Sequence, residues 1–268
     1  MAEVERKPKL LDILTLSEKR RNLFLLLRDG PKTLEEIRSS LQVTASGVLP
    51  QIRKMEKKNL ICRTNKKYAL TEIGSVIAES FNQFVKTLNA FEENEEFWKE
   101  HEISGIPEEF RLRIHELGDY KIFRSTPTEI FKPHDEYIKN LLKSKWIRGV
   151  SPVLHPEYPK AFLILAENGA NVSLILTRNV LEGIKREHRR ELETFLKYKN
   201  VKMMVCEEEI KVAFTVTDFF LSMRLFLKSG EYDFYRNIIS SEKSALKWGE
   251  DLFSYYEKRS EKVESQYF

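Results

Sequence analysis

Between Thr33 and Leu70 the apolar positions follow a helical period, break, resume it, and then give way to two short extended runs. Thr33-Leu-Glu-Glu36 is a capping box: the threonine hydroxyl accepts from the first turn while Glu36 reaches back to the entering chain. That helix runs through Ile37 to Leu41, Gln42 and Val43 make a turn, and Thr44 caps a second helix. Val48, Ile52 and Met55 fall at i, i+4 and i+7 and share one buried stripe, which leaves Ser46, Arg53, Lys54 and Lys57 on other faces. After Asn59, Leu60 to Arg63 and Lys67 to Leu70 flank Thr64-Asn65-Lys66 as the tip of a hairpin. Upstream, Ser17 caps a helix carrying Leu23, Phe24, Leu26 and Leu27, which Asp29-Gly30-Pro31 ends. The order helix, turn, second helix, hairpin predicts a winged helix-turn-helix.

Thr71-Glu-Ile-Gly74 then opens a long helix, in which Ile77, Phe81, Phe84, Leu88 and Phe91 make a short heptad seam. Such a seam pairs with a second copy of itself or packs on the next domain. A dimer contact is the expectation, because a two-fold protein suits a two-fold site on DNA. An acidic, linker-like patch at 92–96 follows, and Pro107 starts a helix through Leu117. Beyond it the pattern alternates. Extended runs are predicted at Lys121 to Arg124, Trp146 to Pro152, Val172 to Leu176, Val201 to Cys206 and Tyr232 to Phe234, with a hairpin made by Lys211 to Thr217 and Phe219 to Lys228. Helices are predicted at Pro133 to Lys143, Glu157 to Asn168, Val180 to Lys199 and Ser240 to Lys258. Alternation of apolar strands with helices predicts an α/β domain on a mixed, partly parallel sheet. The expected organisation is a winged helix-turn-helix over 1–75, a linker or dimerisation helix over 76–100, and an α/β effector or ligand-sensing domain over 101–268.

The charge is unevenly placed. Residues 1–75 carry a net +7 and the rest a net −3, giving the chain's +4. From Val43 to Lys67 there are seven Lys/Arg against the single acid Glu56, which concentrates positive charge where a phosphate backbone would lie. A length of 268 residues with 41% hydrophobic and 32% charged residues fits two folded domains rather than a disordered chain. Acids interrupt the early leucines, so neither a signal peptide nor a membrane span is expected. Cys62 and Cys206 match no zinc or redox spacing, which suits a reducing cytoplasm. The histidines at 101, 115, 134, 155 and 188 form no metal-binding pair, so no metal and no cofactor is expected.

On the second helix the polar candidates for DNA are Thr44, Ser46, Gln51, Arg53 and Lys54. Arginine or lysine pairs with guanine, and Gln51 with adenine if its face is turned to the groove. Leu49 and Pro50 offer apolar surface to thymine methyls, and Pro50 lacks an amide donor. A helix so poor in bidentate readers predicts modest sequence specificity with a share from DNA shape. Arg63, Asn65, Lys66 and Lys67 on the hairpin would meet phosphates. The C-terminal domain holds no dinucleotide loop, Walker loop, zinc-protease motif or nucleophile elbow, so no catalytic residue is nominated. Ser151, His155, Thr177, Thr217 and Asp218 follow predicted strands and, with Ser222, are candidates for a ligand crevice. Phe214, Phe219, Phe220 and Trp248 would surround it. Turn capping and core packing account for the same residues. Glu207-Glu208-Glu209 reads as a solvated turn rather than a cation site.

Taken in order, Ser17-Glu-Lys-Arg-Arg21, Gly30-Pro-Lys-Thr-Leu-Glu-Glu36, Leu49-Pro-Gln-Ile-Arg-Lys54 and Leu70-Thr-Glu-Ile-Gly74 resemble archaeal winged-helix regulators, particularly those of methanogens. Gly149-Val-Ser-Pro152, His155-Pro156, Leu176-Thr177, Val216-Thr-Asp218, Tyr232-Asp233 and Ala245 to Phe253 resemble their C-terminal effector domain. The resemblance implies a transcriptional regulator, dimeric on double-stranded DNA. The C-terminal half also resembles the phospholipase D-like fold of sugar-sensing archaeal regulators. Catalytic members of that fold need an HxK with a downstream Asp, whereas the matching strand here reads Phe214-Thr-Val-Thr-Asp-Phe. Without the nucleophile, that likeness implies a site that binds a small-molecule effector without cleaving it. Two other readings stay open on the residues alone: a nucleic-acid-processing enzyme using the winged helix as a clamp, and a protein-interaction adaptor.

Overall fold

A computed structural model describes residues 9–125 and 140–263. They fall into two compact units, 1–86 and 87–268. Among the described residues no helix is long and apolar enough to cross a membrane.

The first unit is built from local signals. Helices α1 (Leu10–Thr15) and α2 (Glu18–Leu26) precede strand β1 (Lys32–Thr33), α3 (Leu34–Leu41), α4 (Ala45–Glu56), β2 (Ile61–Thr64), β3 (Lys67–Leu70) and the long α5 (Glu72–Glu92). The Thr33 hydroxyl accepts from the Glu36 amide at 3.2 Å, and the Glu36 carboxylate accepts from the Thr33 amide at 2.6 Å, so the capping box forms in full. Gln42 closes α3 in the left-handed region at φ 52°, and the Thr44 hydroxyl accepts from Gly47 to begin α4. β3 lies between β1 and β2, antiparallel to both, with Thr64 opposite Lys67 at the hairpin tip. Val48, Ile52 and Met55 are buried with Leu23, Phe24 and Ile37 in one core. Thr71 bonds to the Asn59 carbonyl at 2.6 Å and accepts from Gly74 at 2.9 Å. A Cβ on Gly74 would stand 1.9 Å from the Leu60 carbonyl oxygen, so the start of α5 can pass this close to the hairpin only as glycine. Ala78 and Phe81 bury in the same core, so residues 76–86 pack with this unit.

The second unit has an eight-stranded sheet. Its strands are β4 (Lys121–Arg124), β5 (Trp146–Ser151), β6 (Asn171–Thr177), β7 (Val201–Cys206), β8 (Val212–Thr217), β9 (Leu221–Leu225), β10 (Arg236–Ser240) and β11 (Ser260–Lys262), in the order β11-β7-β6-β5-β8-β9-β10-β4. Only β5, β6 and β7 run parallel; the others join antiparallel, which makes the sheet mixed as expected. One face carries Val150, Ile175, Met204, Phe214, Met223 and Ile238 and is covered by α6 (Glu95–Glu100), α7 (Glu108–Arg111) and the final helix Lys243–Glu257. Trp248 of that helix is fully buried and donates to the Phe110 carbonyl at 3.1 Å. The other face carries Ile147, Val172, Leu174, Leu176 and Met203 under α8 (Tyr158–Glu167), α9 (Arg178–Glu187) and α10 (Arg189–Phe195).

Three elements differ from expectation, and a fourth falls largely outside the described residues. The helix expected over Val180 to Lys199 is two helices, broken at His188 with φ −135° and ψ 37°. Pro107 to Leu117 holds α7 and a separate 3-10 turn at Ile114–Leu117. Tyr232 to Phe234 is not a full strand: Tyr232 makes a single antiparallel bridge with Phe226, and the chain then bends where the Asp233 carboxylate accepts from the amides of Tyr235 and Arg236 at 2.8 and 3.1 Å. The strand lies just beyond, at β10. The helix expected at Pro133 to Lys143 falls mostly outside the described residues, of which 140–143 are helical.

Asp233 also accepts from His101 Nε2 at 3.0 Å and from Arg236 Nε at 2.6 Å. Burial alone would push its carboxyl up, but the hydrogen bonds from His101, Arg236 and the Tyr235 amide outweigh burial and hold it down at about 2. A depressed folded-state value contributes stability above the ordinary carboxylate range, lost as pH falls through about 2. Unfolding measured between pH 5 and pH 2 should therefore show the second unit losing on the order of 2 kcal/mol, and Asp233→Asn should flatten that slope.

Candidate nucleic-acid interface and ligand cleft

Opposite its buried stripe, α4 presents Ser46, Pro50, Arg53 and Lys57 at i, i+4, i+7 and i+11, all exposed, with Lys54 beside them. Thr44 spends its hydroxyl on the cap and on a 3.1 Å contact with Ser46. Gln51 lies off the stripe, half-buried. Pro50 sits inside the helix, so no amide donates to the Ser46 carbonyl. Lys57 completes this face, although the sequence reading left it out of the DNA-contacting set; the helical period that singled out Val48 and Ile52 also placed it. On the hairpin, Asn65 and Lys66 have φ 50° and 64°, the paired left-handed geometry of a two-residue turn. Arg63, Asn65, Lys66 and Lys67 are all exposed there, and the Arg63 guanidinium lies 5.5 Å from the Tyr68 ring. Helix and hairpin thus offer cationic side chains within one unit.

The second unit contains a cleft of about 830 Å³ of free space, mouth included. Its floor is the sheet face under α8, α9 and α10. Across the floor, Leu174, Gly149, Thr215 and Ser222 stand opposite one another on β6, β5, β8 and β9, and Arg224 is opposite Ala213. A Cβ on Gly149 would come within 3.0 Å of the Leu174 side chain, so this glycine keeps the floor open. Phe162, Ile184, Leu192 and Phe195 form an apolar wall, on which Glu191 is the carboxylate.

Of the candidates for this crevice, Ser151, His155 and Ser222 line the cleft and Thr177, Thr217 and Asp218 do not. Ser151 donates to the Val153 carbonyl at 2.7 Å. His155 Nδ1 accepts from the Glu157 amide at 3.2 Å, which leaves the proton of a neutral ring on Nε2 as a donor. Burial, helped by the Arg224 cation and opposed by Glu157, pushes the His155 value down, so the ring is neutral at pH 7. Tyr158 stacks on it at 4.3 Å. Ser222 accepts from Asn237 at 3.0 Å. Thr217 is fully buried and accepts from the amides of Phe219 and Phe220 at 3.0 and 3.2 Å. Asp218 accepts from the Lys145 amide at 3.1 Å. These two cap a turn, and Asp218 is withdrawn as an effector ligand. Thr177 ends β6 at the start of α9. Phe214 borders the cleft from β8 but packs in the opposite core with Tyr256, Phe219 is exposed, Phe220 packs into the core on the cleft's side of the sheet, and Trp248 serves the opposite core.

Arg224 and Tyr232 were missed. Arg224 hydrogen-bonds to Tyr232, whose hydroxyl burial pushes well above the ordinary phenol range, so it stays protonated. A signal existed: in Leu221-Ser-Met-Arg-Leu225 the apolar residues alternate with Ser222 and Arg224, placing a cation on one face of a buried strand.

The chain thus joins a winged helix-turn-helix to an α/β unit. Two family models match in sequence: the N-terminal domain of the methanogenesis regulatory protein FilR1 over residues 8–89, and its middle domain over 130–259. The two matched stretches together place the chain in the FilR1 family. It is 27% identical over 260 residues to the methanogenesis regulatory protein FilR1 of Methanothrix harundinacea (strain 6Ac), covering 96% of this chain. The chain spans 58% of the length of that relative. Among solved structures it is similar to TrmBL2, described as an archaeal chromatin protein with a novel mode of DNA binding, at TM-score 0.43 and 15% identity over 95% of this chain and 97% of that one. NucT from Helicobacter pylori is similar at TM-score 0.44 and 11% identity, over 54% of this chain and 99% of that one.

Proposed function

We propose that this regulator holds double-stranded DNA with α4 in the major groove and the β2–β3 hairpin on the backbone, and that its second unit binds a small-molecule effector in the cleft without turning it over. The observation that carries the DNA reading is the exposed stripe of Ser46, Pro50, Arg53 and Lys57 opposite the core stripe of α4, with Lys66 and Lys67 exposed on the same unit's hairpin. Thr44, Ser46, Gln51, Arg53 and Lys54 supply contacts from the helix. Arg63, Asn65, Lys66 and Lys67 supply them from the hairpin. Ser151, His155 and Ser222 belong to the effector site. The chain works in the cytoplasm as a homodimer, with Phe84 and Leu88, both largely exposed on α5, as the apolar contact.

Binding of random and selected duplexes over a range of salt tests this. The wild-type chain should bind both, with affinity falling as salt rises. Lys66→Ala with Lys67→Ala should weaken every duplex alike and reduce the salt slope by about one per lost phosphate contact. A changed base preference at an unchanged slope would make the hairpin a reader instead. No binding to any duplex at low salt would remove the DNA reading. Light scattering on the same samples should give twice the chain mass.

A further inference from the structure

We propose that the cleft is built for an amphipathic anion: a carboxylate, or another singly charged oxyanion, carried on an apolar tail. This deepens the effector reading above and rests on it only for its regulatory meaning. The cleft is chemically divided. At one end Arg224, Tyr232, Ser222 and His155 gather donor-bearing side chains on β9 and the segments beside it. Their protonation favours donation: the histidine is neutral with its proton on Nε2, and Tyr232 keeps its phenolic proton. The guanidinium brings the positive charge, close to Tyr232 and His155. At the other end Phe162, Ile184, Leu192 and Phe195 offer apolar surface, with Gly149 leaving the floor bare. Glu191 stands on the helical wall, not on the strand that carries Arg224, so it disfavours a second negative charge on the tail.

The test uses the full chain, with decanoate, decanol, decylamine and acetate as probes, each read by calorimetric titration and by the shift in Tm. Decanoate should bind and raise Tm with concentration, while decanol, decylamine and acetate bind at least about tenfold more weakly, the cost of losing a charge-assisted hydrogen bond or the apolar burial. Arg224→Gln should lose decanoate by a similar factor and Arg224→Lys should recover part of it. Should Arg224→Gln fail to fold, Gly149→Val, which fills the floor, should abolish decanoate binding in a folded chain. Decanol binding as tightly as decanoate would overturn the anionic head, acetate binding as tightly would overturn the apolar tail, and no binding of decanoate would overturn both. DNA binding measured beside these titrations separates the two readings. Decanoate bound with no change in DNA affinity leaves the anion site standing and removes the sensing role. Decanol bound with a change in DNA affinity does the reverse.

Discussion

Arg53→Ala combined with Lys57→Ala is expected to lower duplex affinity by about 100-fold while leaving the fold intact. Both side chains are exposed on the stripe of α4 that faces away from the core, so their removal opens no cavity. Exposed substitutions of this kind typically move stability by no more than about 0.5 kcal/mol. Each lost charge-assisted contact to a phosphate or base edge costs about 1.5–3 kcal/mol, so two together account for the predicted loss. Fluorescence anisotropy at fixed salt measures it. If affinity for a selected site and for random duplex fall by the same factor, both residues act on the backbone. A larger fall on the selected site assigns base readout to Arg53. An unchanged affinity would move the interface off α4.

Trp248→Ala is expected to cost the second unit about 3–5 kcal/mol, a large part of the roughly 5–15 kcal/mol that holds a typical domain. The indole is fully buried, meets Phe110 edge-on at a centroid distance of 5.7 Å, and donates to the Phe110 carbonyl. Truncation leaves a cavity and an unmatched buried carbonyl together. Trp98 and Trp146 remain in the same unit, so denaturant unfolding followed by tryptophan emission reads the loss directly. A change below about 1 kcal/mol would mean that the surrounding helices collapse into the space.

The first unit was legible because its signals are local. A capping box, a left-handed turn and a buried i, i+4, i+7 stripe each act within a few residues, and Thr33, Gln42 and Val48 sit where those rules put them. The second unit depends on pairings that sequence spacing does not encode. The clearest case is Thr217-Asp218. Placing a site beyond a strand's carboxyl end holds for parallel strands, as at Ser151. But β8 runs antiparallel to β5, with Thr217 opposite Ile147, so its end lies at the far edge of the sheet from Ser151. There Asp218 meets the Lys145 amide instead of the cleft. β10 was overlooked because its buried positions include Asn237 and Ser240, polar residues that bond to groups far away in sequence, the Ser222 hydroxyl and the Leu117 carbonyl. The break at His188 has no local cause in a segment rich in helix-forming residues.

The hairpin's geometry sets what kinds of change this protein's lineage can accept at the tip. Thr64 faces Lys67 directly, and along β3 the exposed Lys67 is followed by the buried Tyr68. Pairing to β1 on one side and β2 on the other fixes Tyr68 inward, so an extra residue at Asn65 or Lys66 would enlarge the loop and displace Lys66 relative to Lys67. Both tip side chains are exposed, but the left-handed backbone at Asn65 and Lys66 favours Gly, Asn or Asp there and penalises β-branched residues. Drift in DNA affinity at this edge should therefore proceed by exchange between Lys or Arg and neutral residues at positions 63 and 67, where the backbone is extended, more readily than at the tip itself.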